Sequence, residues 1–399
     1  MRNQWRLSAL VFSVGLFAAW PAFAQTVLPL PSGTSTNGMV RAIAVQDDGK
    51  VVIGGYFTAI NGTPRTCLAR LNADGTIDET WAPAVDGFVH GIAVSGNTVY
   101  VAGEFTHVNS GGLHTGRNRI AAIDATTGSA TTWNPNANGT VRAVKISGHI
   151  AYLAGDFTEV GYQPRNYMAA VDTETNFATS WNADANGPVH DIAVGRYLGG
   201  SYEIVFAVGD FFLIGGTYRQ YVAALNDTTG EATPWIADAD NFARTIALSA
   251  SHVYIGGAFH TVKGQPRERL AALTAPFADP NAGSALDTWN PAPDGDVWGL
   301  AWGGDVGRLF VAGDFSHIGG EERAHVAELL SPNHPDPGHA TDWNPDLGKA
   351  DVIRIAPVDG RVYVAGSYIR YGTPEGRWGI AAITSTESIF HDGFDGNAP

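Results

Sequence analysis

The sequence predicts an all-β fold, a seven-bladed β-propeller of four-stranded blades whose ring is closed by an N-terminal strand. Three observations carry this. One unit of about 50 residues recurs seven times, each copy holds four short β-like runs, and no stretch past the N-terminal leader shows a 3.6-residue apolar period.

The leader comes first. Arg2 and Arg6 precede an apolar stretch from Leu7 to Trp20, and Ala22-Phe23-Ala24 forms an A-x-A cleavage pattern before Gln25. Residues 1–24 are read as a signal peptide, and the protein is expected to be secreted or periplasmic, at the cell surface in one variant of that reading. No later stretch approaches the ~18 apolar residues that a membrane span needs. Losing Arg2 and Arg6 takes the formal charge from −15 to −17. Such an acidic chain has no long-range attraction for nucleic acid or an anionic membrane. Cys67 is the only cysteine, so the chain has no disulfide of its own.

The repeat is legible at four slots. Its glycines are Gly55, Gly103, Gly155, Gly209, Gly257, Gly313 and Gly366, each followed two residues later by Phe or, once, Tyr368. About ten residues on stand Arg65, Arg117, Arg165, Arg219, Arg267, Arg323 and Arg377. An alanine follows each arginine by four residues, and then, after a turn such as DATTG, comes Trp81, Trp133, Trp181, Trp235, Trp289 or Trp343. In the third copy the β-like runs are VRAVKI, IAYLAGDF, YMAAVD and ATSW, bounded by Gly, Asn, Asp or Pro. A straight solenoid is the other fold such a repeat could build, but it would leave open edges at both ends.

The seventh copy lacks its tryptophan and fourth run, while the residues before the first copy end in TNG, where other units end in ANG or VDG. Residues 25–38 are therefore read as the closing segment, with 26–32 as the missing outer strand. The blades run approximately over 39–87, 88–139, 140–187, 188–241, 242–295, 296–349 and 350–386, leaving 387–399 as a tail.

The G-x-F…R…A…D-x-x-T-G…W pattern resembles the delta-60 repeat family of exported bacterial propellers. That resemblance covers roughly residues 39–386; it implies the fold and is silent on activity. The tail ESIFHDGFDG is similar to short C-terminal tails of exported gammaproteobacterial proteins. A more distant likeness is to quinoprotein propellers, through Ala122, Asp124, Thr127, Gly128 and Trp133. Those proteins use eight blades and often adjacent cysteines, which this chain lacks, so the shared piece is read as blade-to-blade packing by a buried indole.

The chemistry is sparser. The repeated tryptophans are expected in the core. The Asn/Asp turns, Asn182-x-Asp184-x-Asn186-Gly187 above all, are read as turn chemistry, with calcium as the alternative; the bidentate acid of a calcium loop is missing at Ala193. No other cofactor and no other metal site are indicated, and no G-x-S-x-G elbow signals a serine triad. The first-strand slot holds Arg41, His90, Arg142, His190, Arg244, Trp298 and Ile353. The acids Glu104, Asp156, Asp210 and Asp314 are expected to pair with Arg117, Arg165, Arg219 and Arg323, leaving Arg65, Arg267 and Arg377 unpaired. A basic channel mouth follows, made of Arg41, His90, Arg142, His190 and Arg244 with Trp298 beside them and Arg65, Arg267 and Arg377 further out. The expected function is a binding or scaffold module for an anionic small molecule, a glycan or a protein. A hydrolase or lyase working at the same mouth is the alternative, and a redox enzyme a third class. A ring this basic would repel a catalytic cation.

Overall fold

In the computed structural model the described residues are 35–196, 202–279, 281–304, 307–345, 347, 352–358, 361–369 and 377–384. Among them the elements are strands, and none is an α-helix. Each repeat forms one antiparallel sheet with its second strand in the centre. The first strands are Met39–Val45, Val89–Ser95, Val141–Ser147, Val189–Arg196, Ala243–Leu248, Val297–Trp302 and Val352–Val358. The central strands are Val51–Tyr56, Thr98–Gly103, Ile150–Gly155, Glu203–Gly209, His252–Gly257, Arg308–Gly313 and Arg361–Ile369.

Hydrophobic side chains from consecutive sheets share one core at each junction. Val52, Leu68 and Trp81 of the first sheet pack with Val89, Val101 and Ala121 of the second. The first and last sheets meet in the same way, through Val40, Ile53 and Ala69 against Tyr363, Ala365 and Ile380. The repeated tryptophans make these junctions directional. Trp181 donates its indole N–H to the carbonyl of Asn226, one repeat on, at 2.8 Å, and Trp235 does the same to Thr274. The indole therefore buries its ring and satisfies its one polar atom at the same contact.

The fourth run of each unit departs from expectation. Among the described residues it is a full strand only in the fourth sheet, Ala232–Ile236. Elsewhere it touches the third strand through a single bridge, as Ile123 to Ala130 or Val171 to Ala178. The repeat arginine braces this run whether or not it forms a full strand. Arg165 donates to its neighbour Pro164 O at 2.7 Å and to Thr179 O at 2.5 Å, so a carbonyl of the outer run serves a guanidinium. Arg219 and Arg323 bond Thr233 O and Thr341 O in the same way.

The closing strand 26–32 and the tail 387–399 lie outside the described residues. At the edge of the described chain, Ser35 bridges antiparallel to Gly379 and Thr36 to Ile60.

Candidate functional site

The first strand of every sheet carries one residue too many. Pairing jumps between Val40 and Ala42, Val89 and Gly91, Val141 and Ala143, Val189 and Asp191, Ala243 and Thr245, Val297 and Gly299, and Val352 and Arg354. The skipped residues are Arg41, His90, Arg142, His190, Arg244, Trp298 and Ile353. A β-bulge leaves its extra residue out of the ladder and re-aims the side chain. The slot singled out in sequence is thus a repeated bulge at one end of the sheets. The side chain of Ile353 lies outside the described residues.

The repeat glycine belongs to the same geometry. A Cβ on Gly155 would run into the carbonyl oxygen of Thr140, and one on Gly103 into that of Phe88. The backbone of the bulged strand comes so close that only glycine fits.

The acids after those glycines pair differently from expectation. Arg142 holds Asp156 through two bonds, Nε at 3.0 Å and Nη2 at 2.7 Å. His90 Nε2 lies 2.9 Å from Glu104. His190 Nε2 lies 2.9 Å from Asp210, at ion-pair distance but not aligned as a hydrogen bond. The bulge lifts its residue toward the acid one place beyond the glycine, whereas the repeat arginine points outward to the fourth run. Arg117, Arg165, Arg219 and Arg323 therefore bond backbone carbonyls and not these carboxylates. Arg65 and Arg267 do the same, to Pro64 and Asp78 and to Pro266 and Asp287. They brace the outer run. Arg377 begins the last strand, opposite Ile369; its side chain lies outside the described residues.

Arg244 stands apart. The place that holds an acid in four other sheets is Ala258 here, so its own sheet offers no carboxylate. Its guanidinium lies 4.3 Å from the ring centre of Phe242 and 5.4 Å from that of Trp298, and its Nε is buried without a hydrogen-bond partner. Burial lowers its pKa; Asp210 and Asp296 oppose that, and Arg142 adds to it. In the first sheet, Arg41 Nε–H donates to Met39 Sδ at 3.3 Å and its guanidinium faces Phe88, which stacks on His90 at 4.7 Å. Burial pushes the pKa of His90 down, Glu104 pulls it up, and Arg41 and Arg142 push it down again, for a net fall. Asp210 is held low by His190, against burial, with further help from Arg244 and Arg142.

The Asn/Asp turns serve the backbone. Asn186 Oδ1 accepts the N–H groups of Phe212 and Leu213, and Asn138 Oδ1 those of Thr158 and Glu159. Asp184 Oδ1 accepts from Asn166. In Asp294 burial would raise the pKa, but bonds from Ser316 and His317 bring it to about 2. Among the described residues no group of three or more His, Cys, Asp or Glu is arranged to hold a metal ion.

One repeat slot reads in sequence as tolerant, with no hint of its backbone. Cys67, Arg119, Tyr167, Tyr221, Arg269 and His325 share no chemistry, yet all have φ between 59° and 66°. Each donates its N–H to the repeat aromatic and accepts from the repeat glycine, as Tyr167 does with Phe157 and Gly155. The slot is fixed by its backbone, so its side chain is free to vary.

The family described as a domain of unknown function (DUF5122) beta-propeller matches residues 46–80 and 307–332. No curated protein matches the sequence. Among solved structures, the chain is similar to virginiamycin B lyase from Staphylococcus aureus, with a TM-score of 0.56 at 14% identity over 88% of this chain and 97% of that one. It is similar to the WD40 beta propeller domain of Doa1, with a TM-score of 0.55 at 11% identity over 91% and 97% of the two chains. YCF48 from Cyanidioschyzon merolae gives 0.53 at 12% identity over 90% and 98%. At such identities the likeness speaks to fold alone, and with the family match it makes this chain an all-β propeller.

Proposed function

We propose that this propeller is an exported binding module that holds an anionic small molecule or acidic glycan at the ring of bulged side chains. The carrying observation is Arg244: a desolvated guanidinium between two aromatic faces, with a buried Nε left unbonded, in the one basic sheet whose acid is replaced by alanine. A guanidinium fork suits a carboxylate or phosphate, and an indole offers a face to a sugar ring. The seven sheets are read as seven blades in a closed ring, with the outer run as a rudimentary fourth strand and residues 26–32 completing the last blade. Ser35 bridging to Gly379, and the core shared by first and last sheets, support that closure. The A-x-A leader supports export.

The test uses the full mature chain with an oligogalacturonate and inorganic phosphate as probes, followed by calorimetry and by tryptophan fluorescence. The expected result is binding of one probe that weakens about tenfold to a hundredfold in Arg244→Ala, the loss of a charged hydrogen bond. Ala258→Asp, which restores the acid other blades carry, abolishes binding while the melting temperature holds. Arg142→Ala has a smaller effect, since Asp156 already engages that side chain. Equal binding by wild type and Ala258→Asp, or no binding of either probe, overturns the reading.

A further inference from the structure

A second cluster lies at the opposite end of the sheets, where the first strand turns into the second. In the fifth sheet this turn carries Ser251, exposed, followed by His252, whose side chain is 7% exposed. Ser251 Oγ lies 2.9 Å from His252 Nδ1, and His252 Nε2 lies 3.3 Å from Asp287 Oδ2. The other oxygen of Asp287 accepts the N–H of Trp289 at 2.8 Å, which fixes the carboxylate. Ala275 N–H donates to Ser251 O, and Ser249 Oγ accepts the N–H of His252, so both residues sit on tethered backbone. Asn333 donates its side-chain amide to Ser251 Oγ at 3.0 Å.

Each member departs from the repeat. The place of Asp287 is held by Thr131, Thr179, Thr233 and Thr341 in four other copies, and by Asp78 in the first, where Arg70 and Lys50 neutralise it. The place of His252 is held by Thr98, Ile150, Arg308 or Arg361, and in the first copy by Lys50, which lies 3.2 Å from Asp78. Asp287 ends the long excursion after the fifth sheet's third strand, and Asn333 belongs to the Pro-rich one in the sixth. The first copy makes an ion pair at these two places, whereas the fifth sets a histidine between the acid and a serine hydroxyl, with an amide beside that hydroxyl.

We propose that Ser251 is a nucleophile activated by His252, oriented by Asp287, and that this face cleaves small exposed esters by acyl transfer. Nε2–H donates to Asp287, which leaves Nδ1 free to accept the hydroxyl proton. Ser251 Oγ bonds to the carbonyl carbon as its proton passes to Nδ1. The C–O bond to the leaving group then breaks, and the departing alkoxide takes that proton. Water attacks the acyl-serine, gives its proton to Nδ1, and Ser251 recovers it. The net reaction is ester plus water giving acid plus alcohol. Asn333 stands beside the hydroxyl, where its amide can donate to the developing oxyanion.

The experiment treats the full mature chain with a fluorophosphonate probe and with p-nitrophenyl acetate. The expected result is labelling that peptide mass spectrometry places on Ser251, with ester hydrolysis lost together with labelling in Ser251→Ala. His252→Gln lowers kcat about 100-fold. Asp287→Asn, a positioning residue, lowers kcat at least about tenfold with KM unchanged. Ser251 is exposed, so Ser251→Ala keeps the wild-type melting temperature and serves as the folded control. Labelling elsewhere, or hydrolysis by wild type no faster than by Ser251→Ala, overturns the proposal.

Discussion

At the scale of single residues, the bulge slot is a set of charged side chains lifted out of the ladders. His90 shows the cost. Burial and two nearby arginines disfavour its charged form, and Glu104 offsets them only in part, so its folded pKa lies below the unfolded value of about 6.5. A depressed histidine contributes stability above that value and loses it as pH falls, because the folded state resists the proton that the unfolded chain accepts. The melting temperature should therefore fall between about pH 7 and pH 5, and His90→Gln should flatten that part of the curve. A separate loss belongs below about pH 4, where Asp294 and Asp210, both depressed, must take protons. The residues of this slot were legible in sequence, since the repeat places them in register. Their partners were not, because the repeat arginines advertised a charge pairing that the bulge gives to Arg142 and His90. The positive φ of the tolerant slot was hidden for a simpler reason: six side chains of four kinds carry one backbone conformation, and only the conformation repeats.

At the scale of the element, the blade is three ladder strands and an outer run held by side chains. The tryptophan pins one repeat to the next, and the arginine pins the outer run inward. Trp181 is 2% exposed and bonds the following repeat, so Trp181→Ala should lower the unfolding free energy by about 3–5 kcal/mol in urea titration. Trp298→Ala, at a half-buried bulge outside these cores, should cost less. The four β-like runs were visible as alternating apolar stretches, but three of them ladder fully and the outermost mostly does not. Strand propensity reports a pleated, half-buried surface and does not say how many ladder bonds a run makes. The Ser251, His252 and Asp287 cluster was invisible for a related reason. A triad search in sequence looks for an elbow, whereas here an excursion of the fifth repeat carries the acid back to a turn it left some thirty residues earlier.

At the scale of the whole molecule, each repeat packs only on its neighbours, so stability is a sum over junctions with one closing term. The junction between first and last sheets is the one whose strands are far apart in sequence. Deleting residues 25–36 removes Ser35 and Thr36, which bridge to Gly379 and Ile60, and should lower the melting temperature while leaving far-ultraviolet β signal from the remaining sheets. The net charge is −15, and the cations Arg41, His90, Arg142, His190 and Arg244 gather at one end of the sheets, in the bulge slot.

The bulges also bear on how such a molecule changes over generations. Strand pairing constrains its residues, because an altered side chain disturbs two neighbours. The bulged residue is exempt, since the ladder skips it. Each copy thus contributes one character to the mouth from a position that can mutate by a single codon without loss of the scaffold. Arginine, histidine, tryptophan and isoleucine already stand there side by side. A lineage of these proteins can change what this end of the sheets presents one character at a time, and an experimenter can do the same.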